Sequence, residues 1–577
     1  MSTRRTLCSL AIAIALAAPA VHAAAVDRVS GEPARTTKAE AAPTWRLPNA
    51  SAAGTSRMLL SELPVTRIAD VQKRNSREGI ATQIGIARDT ASEAPAGLPA
   101  LRWQDVAGGK VARIEVGSPD APGMRLGLQL NGLPEGAELR FAGSDDLARV
   151  LLVSGAEARK LSSQDIYWTP MTDGEFQVIE IFAPKGMDTA RIKPQVPQIS
   201  HLLANSRELF SLGKAIGDSG ACNVDTVCRV AALGQNFVNA KNAVARMTFV
   251  DGGSSYTCTG TLLNDTVAAT QVPYFYSADH CISSQTVAST LNTFWGFEAT
   301  TCNGLVAAAN TQLTGGATLL YSDANTDALL LRLGNAPPAG AFFSGWNATQ
   351  IADNADVLAI HHPAGDLKMS SLGKKVTQDA EMIHAGWTSG TTEGGSSGSG
   401  LFTLGSGGYE LRGGLFGGSA SCANSGNIAT AANRDYYSRL DVVYPSIQQW
   451  LAPTTTSNGP TRNNGGLWYV PSEAGWGITA FQFSGGNNVL FVTWYAFNSA
   501  GQPVWYQLDG QWTGTDINSG PVRRYTGPAW STSFNPAQVA FTNVGTATIN
   551  FTSATAATLT YTVDGVTRTV TLSKIGS

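Results

Sequence analysis

A serine flanked by glycines is the first candidate for a nucleophile in this sequence. Residues 394–400 read Gly-Gly-Ser-Ser-Gly-Ser-Gly, and glycines on both sides let the backbone turn sharply and approach a substrate closely. A serine hydroxyl attacks a carbonyl only when a base lies within hydrogen-bond reach and an acid orients that base. Backbone N–H groups must also face the developing oxyanion. Composition alone predicts only a flexible loop, so the assignment depends on partners elsewhere.

A base for this serine is predicted upstream. His280 lies in Ser-Ala-Asp-His-Cys, after the apolar-rich residues 272–276, and Cys258 stands 23 residues before Cys281. A bridge between the two cysteines would fix the loop that presents His280. A single histidine is more often structural than catalytic, so His280 counts only in combination with an acid and a nucleophile.

The acid that would orient His280 is predicted at Asp327. It stands directly before the apolar residues 328–333, which are typical of a buried strand. Asp323 competes with it but is set back from the apolar run. On its own, Asp327 would be interpreted as the cap of a strand. In combination, the chain order is His, Asp, Ser.

Two other catalytic arrangements compete for the same loop. Residues 394–398 match the G-x-S-x-G elbow of the α/β-hydrolases, which would make Ser396 the nucleophile. That fold requires its histidine after the serine, and no histidine follows His384 in this chain. The subtilisin order, Asp then His then Ser, is not excluded by order, but the sequence around His280 does not support it.

The cysteines indicate an oxidised, exported protein. The chain has seven, and Cys8 falls in the predicted signal peptide. The other six lie in one 201-residue window, and an even number in an exported chain predicts three disulfides, although six cysteines allow 15 connectivities. These six are Cys222, Cys228, Cys258, Cys281, Cys302 and Cys422.

Composition and the N-terminus limit the class of protein. The 577 residues are 43% hydrophobic and 14% charged, typical of a globular β-rich chain of several domains. A net charge of -3 gives no argument for nucleic-acid binding. Arg4 and Arg5, the apolar residues 10–18 and Val-His-Ala at 21–23 predict a secretory signal peptide over 1–23. No later run reaches spanning length, so we expect a secreted protein without a membrane anchor after signal cleavage.

The remaining chain divides into four parts. Residues 24–216 lack cysteine and carry alternating segments at 111–116, 124–130 and 176–182, which predict strands, with a helix near 156–161. The Ala-, Pro- and Ser-rich residues 24–60 are predicted to be poorly ordered. The other three parts are predicted as a strand-rich domain at 217–452, a low-complexity linker at 453–466 and an all-β domain at 467–577, in which six of the 13 tryptophans lie.

The three contexts in order resemble the serine peptidases of the chymotrypsin fold. Residues 217–452 more specifically resemble the bacterial lysyl endopeptidases. The motifs that carry this resemblance are Cys-Asn-Val-Asp-Thr-Val-Cys at 222–228, Cys-Thr-Gly at 258–260, His-Cys at 280–281, Ala-Ile-His-His-Pro at 359–363, Glu-Gly-Gly-Ser-Ser-Gly-Ser at 393–399 and Asn-Arg-Asp at 433–435.

The resemblance implies a mainly all-β chain, with a double β-barrel that holds the catalytic triad His280, Asp327 and Ser397 in the cleft between its barrels. Ser397 rather than Ser396 is then the nucleophile, and the N–H groups of Gly395 and Ser397 form the oxyanion hole. The implied disulfides are Cys222–Cys422, Cys228–Cys302 and Cys258–Cys281. Residues 24–216 become a propeptide that assists folding and keeps the zymogen inactive. Substrates would be proteins or peptides, and no cofactor is needed.

The resemblance also implies a pocket for the substrate's P1 residue, the residue before the cleaved bond. Thr391 stands where trypsin has its acid, whereas Asp435 matches the late acid of the lysyl endopeptidases and Trp387 their aromatic residue. A buried carboxylate would favour a P1 lysine. Phe416 stands where the family has a histidine, so a different P1 preference is the alternative. The family spacing places the mature N-terminus after Ile216, and self-cleavage after the nearby Lys214 is the other option.

Two further features are open to alternative interpretations. The pair His361 and His362 has no Cys, Asp or Glu at ligand spacing, so we predict a structural role and no metal. The C-terminal domain resembles a β-rich module of secreted bacterial proteins, with Gly-Leu-Trp-Tyr at 466–469 and Gly-Trp-Gly at 475–477. We expect most of its tryptophans in the core, although exposed ones would suit cell-surface or polysaccharide contact. Rival hypotheses for the whole chain are an inactive protease-fold binding protein and an adhesive or glycan-binding protein.

Overall fold

The structure is a computed structural model. It describes residues 26–35, 42–47, 54–77, 79–94, 96–205, 219–267, 270–453, 460, 462–482, 490–498, 500–513, 516–529 and 538–575. The predicted signal peptide and both predicted processing sites, at Lys214 and Ile216, lie outside the described residues. Strands predominate. No helix in these ranges is both long and apolar enough to cross a membrane.

The N-terminal region consists of short helices and two sheets. Its helices are α1 (Val65–Asn75), α2 (Thr90–Glu93) and α3 (Gly155–Leu161). Its strands are β1 (Arg28–Val29), β2 (Glu32–Pro33), β3 (Thr55–Leu59), β4 (Thr82–Gln83), β5 (Gly85–Asp89), β6 (Gln104–Val106), β7 (Gly109–Gly117), β8 (Gly123–Gln129), β9 (Glu138–Gly143), β10 (Leu151–Ser154), β11 (Tyr167–Trp168), β12 (Thr172–Asp173), β13 (Phe176–Pro184) and β14 (Gln195–Leu202).

The two sheets of this region share one apolar core. One has the order β10-β9-β13-β7-β3 with β6 beside β7, and the other has the order β11-β8-β14-β5 with β12 beside β8. Alternate residues of β7, Ile114 and Val116, pack in that core with Ile179 of β13 and Leu126 of β8, as the period-two pattern requires. The predicted strands near 111–116, 124–130 and 176–182 and the helix near 156–161 are confirmed.

Residues 26–35 differ from the prediction of poor order. Strand β1 pairs with residues 346–347 and β2 with residues 342–343, both in the following domain. Arg28 also forms an ion pair with Glu410, at 2.7 Å. Pairing with strands of another domain orders this segment. The composition of the segment itself does not predict these pairings.

Residues 219–453 form two β-sheet bodies. Their helices are α4 (Thr226–Ala243), α5 (Gln285–Ala288) and α6 (Leu440–Leu451). Their strands are β15 (Val224–Asp225), β16 (Val244–Asp251), β17 (Ser254–Leu263), β18 (Tyr274–Ala278), β19 (Asn292–Trp295), β20 (Thr311–Leu313), β21 (Ala317–Asp323), β22 (Ala328–Leu333), β23 (Phe342–Phe343), β24 (Gly345–Asn347), β25 (Asp356–His361), β26 (Met369–Gln378), β27 (Met382–Ser389), β28 (Gly400–Gly405), β29 (Gly408–Gly418) and β30 (Asp435–Ser438).

The first body has the strand order β20-β19-β16-β17-β18-β22-β21. In the second, the order β29-β28-β25-β26-β27-β30 returns to its start because β30 pairs with both β27 and β29, so six strands close into a barrel. The structure contains the disulfides Cys222–Cys422, Cys228–Cys302 and Cys258–Cys281, the three pairs that the family resemblance implies.

The C-terminal domain is a closed barrel. Its strands are β31 (Gly466–Tyr469), β32 (Gly477–Gln482), β33 (Leu490–Phe497), β34 (Pro503–Thr513), β35 (Ile517–Thr526), β36 (Ala540–Phe551), β37 (Ala556–Val563) and β38 (Val566–Lys574). Each pairs with the next, and β31 pairs with β38. Because β31 begins at Gly466 and Arg462 already donates a hydrogen bond to Asp516, the barrel's contacts begin inside the predicted linker 453–466.

The barrel buries most of its described tryptophans. Trp468, Trp494 and Trp512 pack in its core, as expected for a small closed barrel whose interior is filled by side chains. Trp476 is partly buried against that core, and Trp505 is exposed over 47% of its surface. Trp530 lies outside the described residues.

Candidate active site

The predicted base and the predicted acid lie side by side because the strands next to them pair. His280 follows β18 by two residues, Asp327 directly precedes β22, and the two strands run antiparallel with Ala278 opposite Ala328. His280 Nδ1 lies 2.8 Å from Asp327 Oδ2, and the His280 backbone N–H donates to Oδ1 at 2.9 Å. The Asp327 side chain is buried. Two hydrogen bonds to one carboxylate fix the orientation of the imidazole.

Asp327 adopts a left-handed backbone conformation, with a φ of +51°. Few residues other than glycine tolerate this region, and aspartate and asparagine are the most frequent among them. The Asp279 N–H also donates to the Asp327 carbonyl at 3.1 Å, so the residue before His280 helps to hold the backbone of Asp327. The local conformation therefore aims the carboxylate at His280.

Ser397 comes from the second body, on the loop before β28, and is tied to the first. The Thr259 N–H donates to the Ser397 carbonyl at 2.8 Å. Thr259 follows Cys258, which is bonded to Cys281 beside His280. The next residue, Gly398, has a φ of +77°, and a Cβ there would come within 2.1 Å of the Ser277 hydroxyl. A glycine at 398 therefore lets the serine loop approach β18 closely.

His280 is connected to the cleft through Phe416. Its Nε2 is buried without a hydrogen-bond partner among the described residues. Phe416 packs edge-on against the imidazole, with ring centroids 5.9 Å apart, and Phe416 also lines a cavity of about 460 Å³ together with Ser397. Phe416 therefore connects His280, in the first body, to the cavity that Ser397 lines from the second, and no hydrogen bond joins His280 Nε2 to Ser397.

Ser396, the rival nucleophile, faces the interior. It is fully buried, its hydroxyl lies 2.9 Å from His361 Nδ1, and it accepts a hydrogen bond from the Glu393 N–H. His361 Nε2 in turn meets Ser371 at 3.2 Å, and the neighbouring His362 bonds the Asp366 carbonyl through Nδ1. The two histidines are integrated into the protein interior and lie apart from the cleft.

The buried His361 predicts a loss of stability in acid. Burial lowers its pKa from 6.5 to about 3, so below pH 6.5 the unfolded chain binds a proton that the folded chain excludes until about pH 3. The free energy of unfolding should therefore fall as the pH drops through this window, by about 2 kcal/mol between pH 6.5 and about pH 5 from this group. Urea unfolding of the Ser397→Ala chain at several pH values measures it. His361→Gln should reduce the pH slope by about one proton, and an unchanged slope would contradict the assignment.

Two backbone N–H groups of the serine loop, those of Gly395 and Ser397, were predicted to form the oxyanion hole. Gly395 has a φ of +93°, and its carbonyl accepts a hydrogen bond from the Thr259 hydroxyl at 3.0 Å. Neither the Gly395 N–H nor the Ser397 N–H donates to a backbone carbonyl of the described chain. An oxyanion hole requires N–H donors that are not already paired with the protein.

Asp435 lies next to the wall of the cleft cavity. It is 1% exposed, and its Oδ2 accepts hydrogen bonds from Trp387 Nε1 at 2.6 Å and from the Thr392 hydroxyl at 2.7 Å. Thr392 lines the cavity beside Ser397, whereas Trp387 is completely buried. The sequence predicted Asp435 and Trp387 but did not assign Thr392, whose hydroxyl connects the carboxylate to the cavity.

One group of potential metal ligands lies close together in the described chain. Cys258, His280 and Cys281 have ligand atoms within 4.8 Å of one another. Both sulfurs belong to the Cys258–Cys281 disulfide, and a thiol binds zinc as its thiolate. The group therefore does not fit a metal in the oxidised chain.

Comparison with known proteins identifies the class. A model of the lysyl endopeptidase C-terminal domain matches residues 216–438, and a model of the lysyl endopeptidase N-terminal domain matches residues 59–203. The lysyl endopeptidase of Pseudomonas aeruginosa is 35% identical over 475 residues, which cover 78% of this chain and 100% of the relative. The protein is a serine endopeptidase. It belongs to the lysyl endopeptidase family.

Solved structures of proteases match more weakly. The active form of the Rv3671c protease from M. tuberculosis is 15% identical with a TM-score of 0.27, over 39% of this chain and 88% of that chain. The inactivated protease paralogue S-I1 of the scabies mite is 14% identical with a TM-score of 0.26, over 37% of this chain and 95% of that chain. Scores this low add nothing to the family assignment.

Proposed function

We propose that the protein is an exported endopeptidase that cleaves peptide bonds after lysine through Ser397, His280 and Asp327. The observation that carries this proposal is the His280–Asp327 pair, whose Nε2 has no hydrogen-bond partner among the described residues and whose ring packs on Phe416, a residue that lines one cavity with Ser397. Residues 24–216 act as its propeptide. The predicted signal peptide supports export.

The proposed reaction proceeds through an acyl-enzyme. His280 Nε2 takes the Ser397 proton as Oγ attacks the substrate carbonyl, and Asp327 keeps the other imidazole proton on Nδ1. The N–H groups of Gly395 and Ser397 bind the oxyanion of the tetrahedral intermediate. His280 then gives its proton to the leaving amine as the peptide bond breaks. Water, deprotonated by His280, attacks the ester in the same way and releases the acid product and Ser397.

The proposed lysine preference rests on Asp435. A P1 ammonium that enters the cavity beside Ser397 would meet the carboxylate that Thr392 and Trp387 hold in place. A charge-assisted hydrogen bond in a buried site favours such a cation over a neutral side chain. The name of the Pseudomonas aeruginosa relative points to the same specificity. Where the family has a histidine, this chain has Phe416, which packs on His280. An uncharged ring therefore stands at this position of the cleft.

The pocket proposal predicts the effect of Asp435→Asn. Removing the charge should lower kcat/KM for a P1 lysine peptide by roughly 30- to 5,000-fold, the range for truncating one partner of a buried charge pair. The same peptide with norleucine at P1 should change by less than about tenfold. Steady-state kinetics on peptides that differ only at P1 measure both ratios.

Asp441→Asn is the matched control for this experiment. Asp441 lies in α6 and pairs with Arg439, so its variant should cleave both peptides at the wild-type rate. Equal losses for lysine and norleucine peptides in Asp435→Asn would show that Asp435 only supports the fold of the pocket. A wild-type preference for another P1 residue would overturn the lysine assignment and leave the triad intact.

A binding role for the C-terminal barrel is supported by a strip of aromatic side chains on its surface. Tyr495 lies opposite Trp505 in adjacent strands, Trp505 stacks on Tyr525 at 5.4 Å, and Tyr525 meets Phe541 at 5.7 Å. Three of the four are about half exposed. We propose that this strip contacts polysaccharide or the cell surface. Co-sedimentation of the full chain with insoluble polysaccharides tests this, and Trp505→Ala should reduce the bound fraction, whereas Trp468→Phe in the core should not.

A further inference from the structure

The N-terminal region reaches the cleft that holds Ser397. The residues after α1 line the same cavity of about 460 Å³ as Ser397 and Phe416, and among them are Gly79 and Ile80. Gly79 lies so close to Phe416 that a Cβ there would come within 2.8 Å of the ring. Because Phe416 packs on His280, the chain enters the cleft beside the catalytic base.

From Phe416 the chain crosses to the other side of the cleft. Ala81 is buried in the same apolar cluster as Cys258 and Cys281. Thr82 and Gln83 then form β4, which pairs antiparallel with residues 256–257 of β17. The Thr82 hydroxyl lies 2.9 Å from where a Cβ on Gly394 would stand. The path therefore runs over the serine loop, from one body to the other.

We propose that residues 80–83, the cleft segment, bind in this cleft as a substrate does, with Ile80 at P1 and Ala81 at P1′. This inference rests on the proposed function, because P1 is defined by cleavage at Ser397. The edge of β17 at residues 256–257 then receives the chain that follows the cleaved bond. Gly79, with a φ of +66°, turns the chain out of the cleft on the other side, as glycine does readily.

The identity of residue 80 explains how the cleft segment stays uncut. Ile80 is aliphatic and brings no positive charge to a pocket built around the Asp435 carboxylate. A site that recognises a polar group discriminates strongly against a side chain without one. A lysine at position 80 would extend from the same backbone towards the cavity that Thr392 lines.

The end of α1 holds the cleft segment in an extended form. Asn75 accepts a hydrogen bond from the Gln83 N–H at 2.9 Å and donates to the Gln83 carbonyl at 2.8 Å. Arg74 donates to the Ala81 carbonyl at 2.7 Å. These three contacts fix the backbone before it meets the peptidase, which lowers the entropy lost on binding.

Placing lysine at position 80 of the full chain tests the P1 assignment. The Ile80→Lys chain should be cut between residues 80 and 81 by its own active site, at a rate independent of protein concentration. Cleavage of this bond should be about 100-fold faster than in Ile80→Leu. N-terminal sequencing and intact mass identify the new terminus at Ala81.

Glu62→Lys is the matched control, because it places the same residue on an exposed position of the same region, away from the residues that line the cavity. It should be cut only between molecules. Cleavage of Ile80→Lys that is no faster than that of Glu62→Lys, or that rises with concentration, would overturn the inference. If peptides show a P1 preference other than lysine, that preferred residue is installed at position 80, so an error in the proposed specificity is separated from an error in the path of the chain.

A second measurement does not involve catalysis. Hydrogen exchange of the full Ser397→Ala chain should show protection of residues 81–84 and of residues 255–257. Asn75→Ala should speed exchange of both by roughly tenfold, since two hydrogen bonds to Gln83 are lost, whereas Ser76→Ala should change neither. Rapid exchange of residues 81–84 in the parent chain, or no effect of Asn75→Ala, would contradict the bound path even if the triad and the P1 specificity are correct.

Discussion

Replacement of Ser397 by alanine is expected to lower kcat for peptide cleavage by about 10⁶-fold, the loss seen when a triad nucleophile is removed. Ser396→Ala should stay within about tenfold of wild type, because the Ser396 hydroxyl bonds His361 and the Glu393 N–H in the interior. The two serines are neighbours with the same flanking glycines, so each variant is the control for the other.

Active-site titration with a chromogenic ester measures this difference, because the burst counts acylated nucleophiles. Both variants are first processed by a trace of tagged wild-type enzyme, which is then removed on affinity resin. A full burst from Ser396→Ala and none from Ser397→Ala is the expected result. A burst that disappears with Ser396→Ala and persists with Ser397→Ala would identify Ser396, the serine of the G-x-S-x-G match, as the nucleophile.

Asp327→Asn is expected to lower kcat by about 10⁴-fold without unfolding the chain. Asparagine tolerates the left-handed backbone at this position and can still accept from the His280 backbone N–H. Its amide presents an N–H where the carboxylate accepted the His280 Nδ1 proton, so it favours the wrong imidazole tautomer. Steady-state kinetics give the loss in kcat, and circular dichroism checks the fold.

Asp323→Asn is the control for the acid. Asp323 accepts hydrogen bonds from Asn325 and Thr326 within its own turn, so its variant should retain kcat within about threefold. A large loss of kcat in Asp323→Asn, together with an active Asp327→Asn, would show that Asp323 and not Asp327 orients His280.

The contact between His280 and Asp327, the proposed base and acid, was expected because both stand next to recognisable strands. His280 follows an apolar-rich segment, and Asp327 precedes another. The antiparallel pairing of β18 and β22 brings the two ends together, although β19, β20 and β21 lie between them in the chain. The residue pattern therefore predicted where each residue stands, but not that their strands would pair.

The choice between Ser396 and Ser397 could not be made from the residues themselves. Each lies in the same stretch of glycine and serine, and only the family resemblance favoured Ser397. In the fold, the surroundings of the two serines differ, because Gly398 approaches β18 closely and the Ser396 hydroxyl contacts His361. Both contacts join residues far apart in the chain, so no local pattern records them.

The path of the N-terminal region was not predictable for the same reason. Residues 79–83 read Gly-Ile-Ala-Thr-Gln and carry no motif, yet β4 pairs with β17. Residues 28–33 likewise find their partners in another domain. Strand pairing between domains depends on which edges remain open after each domain has folded, and a single segment does not encode that information.

The most direct test of the central claim is covalent labelling of the processed enzyme with two phosphonate inhibitors that differ only at P1, one with lysine and one with norleucine. Intact mass and peptide mapping report the modified residue and the rate. We predict one adduct, on Ser397, formed much faster with the lysine compound, and a loss of that advantage in Asp435→Asn. An adduct on another residue, or equal rates for the two compounds in the wild-type enzyme, would contradict the proposed site.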